Sequence, residues 1–291
     1  MTTFAERIDQ GWAEHSEHPK QVADWLAGSL AEISAAEQIE PFARLAAHVF
    51  GEHLGEWTRG IELLETLRAS RVCGAAEATA IGRHVAALGC ASGDESSLAA
   101  LAREDAACAL AAAAAACAGR KDFSRAIALY ERALAQAQPT PAQASPAIRS
   151  LAIAGNNLAA ALEDKSPRSE DERRGMLGAA RGALAHWKLA GGWLEEERAE
   201  FRLARSLTAA GEPREGAEHA QRCLTICERH DAPAFERFFA YYALAAALRA
   251  AGDDARFEEA RSRALSWLAK VPADEQRGCD AERRELGDGK S

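Results

Sequence analysis

The run from Ala106 to Ala118 is almost all alanine, and few architectures accommodate such a stretch. Alanine has the best intrinsic helix propensity and a side chain small enough to let a second helix approach the axis closely. A helix closely packed by its neighbours is therefore expected. The polar turn Gly119-Arg120-Lys121-Asp122 follows, and a second helix should run to Ala137. In that helix Ala126, Tyr130, Ala133 and Leu134 fall at i, i+4, i+7 and i+8, the spacing of a packing stripe. Arg125, Glu131, Arg132 and Gln136 fall elsewhere, as solvent-facing residues do. The alanine run covers about a dozen residues against the ~20 needed to span a bilayer, so no membrane segment is expected.

Strands have almost no support, because runs of β-branched residues in strict alternation are absent. The expected class is all-α. With 291 residues the chain is long enough to bury a core. Net charge is −9, from 35 basic and 44 acidic residues, which opposes the basic footprint that binding a phosphate backbone requires. No nucleic-acid partner is expected on that ground. The N-terminal MTTFAERIDQGW lacks a basic region followed by an apolar one, so no secretory signal is expected. The seven cysteines, an odd number without paired short spacings, fit reduced thiols of a cytoplasmic protein better than a disulfide framework.

Taken in order, the chain reads as helical hairpins. Phe4, Ile8 and Trp12 mark a first helix, and Val22, Trp25, Leu26, Leu30 and Ile33 a second, with Pro19 between them. Pro41 suits the first turn of a third helix, running to about Leu54. Gly55 to Ile61 then gives a turn and entry to a helix ending near Arg68. Another unit begins near Ala75, with a weakly marked partner helix over Glu95 to Ala102. Residues Gln138 to Pro146 hold three prolines and read as a connector. Further helices are expected from Ala147 to Asp164 and around Leu177, Ala180, Leu184 and Trp187. Beyond Pro272 the composition, rich in charge and glycine, predicts a mobile tail.

Repetition is clearest toward the C-terminus. Glu200-x2-Leu203-Ala204-x2-Leu207 precedes Gly211, and Tyr241-x2-Leu244-Ala245-x2-Leu248 precedes Gly252. Both resemble the first-helix pattern W-x2-L-G-x2-Y of tetratricopeptide (TPR) repeats, and Ala126-x3-Tyr130 with Pro139 beyond resembles the second-helix pattern. From Leu158 to Leu203 to Leu244 the steps are 45 and 41 residues, longer than the ~34 of a standard repeat. The chain thus resembles an irregular, long-helix TPR array. The resemblance implies a right-handed solenoid of antiparallel helix pairs, a TPR-like superhelix: residues 1–40 as a helical cap, 41–271 as the array and 272–291 as the tail. Each hairpin has an apolar face too large to hide alone, so neighbours stack and share one core.

Chemistry-bearing clusters have plain explanations. His219, Cys223, Cys227 and His230 form one helical stripe, but three turns spread them over about 16 Å, too far for one tetrahedral ion. Packing is the expected role, and no metal or other cofactor is assigned. Cys108 and Cys117 replace alanine on the alanine helix, and no C-x-x-C occurs. Nucleophile elbow, P-loop, zincin and dinucleotide motifs are all absent. Glu195-Glu196-Glu197 and Glu258-Glu259 are expected as solvated faces. No catalytic residue is assigned, and the chain is not expected to be an enzyme. An enzyme would need a deep cavity lined by histidines and carboxylates.

The TPR resemblance implies that a partner lies along a concave groove. Its register puts Arg83, Asn156, Arg198, Phe201, Arg205, Tyr242 and Arg249 on that side, with Asn157 and Arg202 one place along. Arginine can hold a carboxylate through two parallel hydrogen bonds, and asparagine can donate to a peptide backbone. The lysines of the family's carboxylate clamp are not matched. In an acidic chain these arginines favour a protein or peptide with an acidic segment or free carboxylate. The alternative is internal pairing of the arginines with Glu197, Glu200 and Glu236. The implied function is a non-catalytic protein- or peptide-binding adaptor or scaffold; the alternative is a ligand- or peptide-responsive sensor of the same fold. A homodimer remains open.

Overall fold

The computed structural model describes residues 3–137 and 145–287. Within them the chain is all helix, with no strand among the described residues. It divides into two compact units, Met1–Ala161 and Leu162–Ser291. Most of the connector expected over Gln138 to Pro146, and the last four residues of the tail, lie outside the described residues.

The first unit opens with α1 (Phe4–Glu14), α2 (Pro19–Gly28) and α3 (Ile39–His48). Thr3 caps α1, its hydroxyl accepting from the Glu6 amide while the Glu6 carboxylate accepts from the Thr3 amide. Instead of stopping or continuing as α-helix, α3 widens into a π-helical stretch, Val49–Leu54. Gly55 ends it in the left-handed conformation at φ 67°, a backbone that glycine adopts without steric cost. Next come α4 (Trp57–Arg68), α5 (Ala75–Ser92), α6 (Arg103–Gly119) and α7 (Phe123–Ala137). Ile8, Val22, Leu26, Phe42, Phe50 and Leu64 share one core, so α1 and α2 pack into the same interior as the helices that follow.

The alanine helix is α6. Ala107, Ala113 and Ala114 are fully enclosed, because α5, α7 and the π-helical stretch all pack on it. Only a methyl-sized side chain permits three helical neighbours at that range. Tyr130 of α7 is buried as its stripe predicts, and its hydroxyl donates to the Leu151 carbonyl at 3.0 Å. The helix expected over Glu95 to Ala102 is replaced by a single 3₁₀ turn, Leu98–Ala100, and α6 is the true partner of α5. The short Asp94 to Ala102 segment lacks the apolar stripe that would hold a helix to the core. Helix α8 (Pro146–Glu163) ends just past the division between the units.

The second unit comprises α9 (Glu170–Ala190), α10 (Trp193–Ala210), α11 (Pro213–Arg229), α12 (Ala234–Ala250), α13 (Asp254–Leu268) and α14 (Asp280–Glu285). Ser169 caps α9 through a reciprocal pair with Glu172. The hairpins α10–α11 and α12–α13 are the two that the C-terminal motifs predict, and α12 packs on both α10 and α11. Gly216 lets α11 close on α10: a Cβ there would lie 2.9 Å from the Ala204 carbonyl. Within the stretch expected as a tail, residues 276–285 are helical. A 3₁₀ turn, Gln276–Cys279, leads into α14, and Cys279 and Leu286 are both buried. These two apolar residues, seven apart, share one helical face and dock the segment despite its charged composition.

Candidate functional site

Six of the candidate groove residues lie in the second unit; one of them, Phe201, packs edge-on against Phe239 with ring centroids 5.7 Å apart, and the other five are polar. Arg198, Arg202 and Arg205 recur at the i, i+4, i+7 spacing along α10, while Tyr242 and Arg249 occupy one stripe of α12. Each has a partner within the chain. Arg198 donates to Glu236 at 2.6 Å, as the pairing alternative anticipates, and that bond, outweighing burial, raises its guanidinium pKa. Arg202 donates at 2.6 Å to Glu163, whose other oxygen accepts from the Ser206 hydroxyl at 2.6 Å. Arg205 stacks over the Tyr242 ring at 5.0 Å and lies 3.5 Å from the Glu285 carboxylate. The Tyr242 hydroxyl donates to that same carboxylate. Arg249 donates to the Glu285 carbonyl at 2.7 Å, and Arg261 of α13 to the Leu286 carbonyl at 2.6 Å. The C-terminal segment is therefore grasped by the Glu285 carboxylate and by two carbonyls at its helix end.

Beneath this face lies a group of buried carboxylates that the sequence misplaces. Glu197, expected on a solvated face, is only 1% exposed. Burial, reinforced by the neighbouring Glu236 charge and opposed by Arg198, pushes its pKa up to about 8, so it holds a proton at neutral pH. Burial likewise raises Glu163, against the pull of Arg202 and the Ser206 hydroxyl. Glu200 is also buried but its pKa is lowered: bonds from His219 at 2.5 Å and Lys188 at 3.0 Å outweigh its burial. Of the four-residue stripe on α11, Cys223 and Cys227 are buried and His219 faces Glu200. His230 instead stacks on Trp193 with centroids 5.2 Å apart, so the stripe does not converge on one point.

The remaining candidates, Arg83, Asn156 and Asn157, lie in the first unit. Arg83 faces Asp105 at 3.4 Å, and the Asn156 side-chain amide donates to the Asn157 side-chain oxygen Oδ1 at 3.3 Å. Asn157 alone of the three lines a cavity of about 550 Å³. Its alanine-rich wall comes from α6, with His48, Glu52, His84, Cys108 and Ile153 around it. Burial raises the Cys108 thiol pKa and keeps it protonated. One end of the cavity meets a cluster that the sequence reading, which assigned no metal, does not contain. His15, which caps the C-terminus of α1, His48 and His53 bring one ring nitrogen each to within 4.8 Å of one another. In an α-helix, residues five apart lie on different faces; the π-helical stretch turns His53 back beside His48. Only the sequence spacing His48-x4-His53 hints at this, and only if the π-helix is foreseen. Burial, then the adjacent His48 ring, lowers the His53 pKa.

Within each unit, helix pairs joined by short turns pack against their neighbours, and such pairs define a TPR-like helical-repeat fold. The chain is similar to two solved structures of a candidate kinesin light chain from Podosopora anserina with nearly identical TPR-like repeats, one of them a single-site variant. In both, 17% of residues are identical and 88% of this chain is covered. The matches cover 98% and 99% of those chains, with TM-scores of 0.50 and 0.51. No family model matches the chain, and no curated protein matches it. No helix among the described residues is long and apolar enough to cross a membrane.

Proposed function

We propose that the protein is a non-catalytic interaction scaffold whose second unit binds an acidic helical segment of a partner on the α10–α12 face. The observation that carries this reading is the seating of α14: Arg205, Tyr242 and Arg249 hold the Glu285 carboxylate and carbonyl. These are the donors expected to grip a peptide, and here they grip one from the same chain. An external acidic helix would use the same donors after displacing α14. Arg198 and Arg202, each bound to a buried carboxylate, support the face from below rather than meeting the ligand. Arg83, Asn156 and Asn157 would offer a separate polar edge beside the first unit's cavity. The TPR-like fold supports protein interaction in general, and the seven free thiols suit a reducing, cytoplasmic setting.

The test is anisotropy of a labelled peptide spanning residues 274–287, titrated with the full chain. Weak binding to the native chain should tighten in Glu285→Ala, where the internal segment is loosened, and disappear in Arg205→Glu/Arg249→Glu with helicity unchanged. Equal anisotropy with all three proteins would remove the model. The cavity favours the sensor reading as the second choice, since a volume of about 550 Å³ admits a small molecule.

A further inference from the structure

We propose that His15, His48 and His53 form a binding site for a divalent transition-metal ion of the zinc type at the edge of the first unit's cavity. A backbone carbonyl can only accept, so the 2.5 Å contact between His15 Nδ1 and the Trp12 carbonyl makes Nδ1 the protonated nitrogen. The Glu52 carboxylate, 3.0 Å from His48 Nδ1, does the same for His48. Both rings are thereby left with an Nε2 lone pair. This is the arrangement in which a carbonyl or carboxylate orients a metal-binding histidine from its far nitrogen.

The Nε2 atoms of His48 and His53 then face each other at 3.1 Å. With its own proton on Nδ1, His48 Nε2 can only accept, so the gap holds either a proton carried by His53 Nε2 or a cation shared by two lone pairs. Two imidazoles on one tetrahedral ion at ~2.0–2.1 Å place their nitrogens about 3.3 Å apart, close to the spacing found. His15 offers the third nitrogen: one ring nitrogen of each histidine lies within 4.8 Å of the others, and an ion would draw the His15 ring in toward the closer His48–His53 pair. Nitrogen-only ligation suits zinc, cobalt, nickel or copper rather than magnesium or calcium. Three protein ligands leave a coordination position for water or a ligand atom. His48 belongs both to the cluster and to the cavity wall, so an ion held here would border the space in which a small molecule would sit.

The competing account is a proton shared between His48 and His53, with no affinity for metal. Cobalt(II) titration of the EDTA-treated full chain separates the two. A 1:1 complex should develop visible d–d bands of a nitrogen-ligated, four- or five-coordinate ion, without the near-ultraviolet charge-transfer band of a thiolate ligand. Zinc should displace the cobalt. His48→Gln and His53→Gln should each abolish the bands with helicity retained, and Glu52→Gln should weaken binding roughly 10–100-fold through loss of the oriented tautomer. His219→Gln should leave the complex intact. Absence of d–d bands up to millimolar cobalt, or bands that persist in His48→Gln and His53→Gln, would overturn the assignment.

Discussion

Replacing Glu197 with glutamine isolates one buried proton. The carboxyl is held protonated in the folded chain up to about pH 8 against an ordinary value of 4.5. Below pH 4.5 both folded and unfolded chains carry the proton, and the group leaves stability unaffected by pH. Between 4.5 and about 8 the folded state binds more protons than the unfolded one, so stability must fall as pH rises. The slope approaches ~1.4 kcal/mol per pH unit for a single group. Glutamine preserves the shape, its amide can donate to the Glu236 carboxylate, and its carbonyl can still accept from the Cys227 thiol, which lies 3.9 Å from Glu197 Oε1. The variant should therefore gain about 3 kcal/mol relative to the native chain on going from pH 5 to pH 8. Glu163 and Glu200 titrate in both proteins, so their contributions cancel in the difference. Urea unfolding followed by helical circular dichroism at several pH values measures it. A difference that stays flat over this range, or one that turns against the variant as pH rises, would refute the buried-proton account.

Further predictions concern packing and pairing, and each is read as a shift in urea midpoint. Arg202→Ala should destabilise by roughly 3–5 kcal/mol, because it strands the buried Glu163 carboxylate; a loss below ~1 kcal/mol would show that water reaches Glu163. Ala113→Leu should cost on the order of 1–3 kcal/mol or more, since that methyl is fully enclosed. A neutral result would mean α6 is less tightly packed than described. Gly119→Ala should destabilise by a similar ~1–3 kcal/mol, because a Cβ there would lie 2.3 Å from Glu52 Cγ and 2.9 Å from its carbonyl. The same substitution should disturb His48, whose Nδ1 partner is Glu52. Tyr130→Phe should cost about 1 kcal/mol for the bond lost to the Leu151 carbonyl.

The parts of the molecule legible in the sequence are those written by local periodicity. The alanine run, the Tyr130 stripe and the two C-terminal first-helix motifs each predict a helix that is present, because helix propensity and a 3.6-residue repeat act over one or two turns. The hairpin class follows from stacking such units. What escaped depends on relations between distant segments. Glu197 sits in a run of three glutamates that reads as solvent-facing, yet α11 and α12 close over it, and only that third-helix contact distinguishes it from Glu196. Leu286 and Cys279 are too few to signal a helix amid charged residues, although two anchors suffice once a face exists to receive them.

The histidine cluster shows the same limit more sharply. His15 lies 33 positions before His48, and His53 is brought alongside only because one turn of helix departs from the α repeat. Gly55 ends that turn, and Gly119 lets α6 come against Glu52, so two glycines far apart in the chain set the orientation of one imidazole. A π-helical turn gives up good hydrogen-bond geometry and persists where its surroundings enforce it. Here the enforcing contacts are Arg120, whose guanidinium donates to the His53 carbonyl at 2.7 Å, and the alanine helix packed against the turn. The alanine run thus has two consequences. Its small side chains let three helical neighbours converge, and the shallow surface they leave on the remaining side is the wall of the cavity that His48 overlooks.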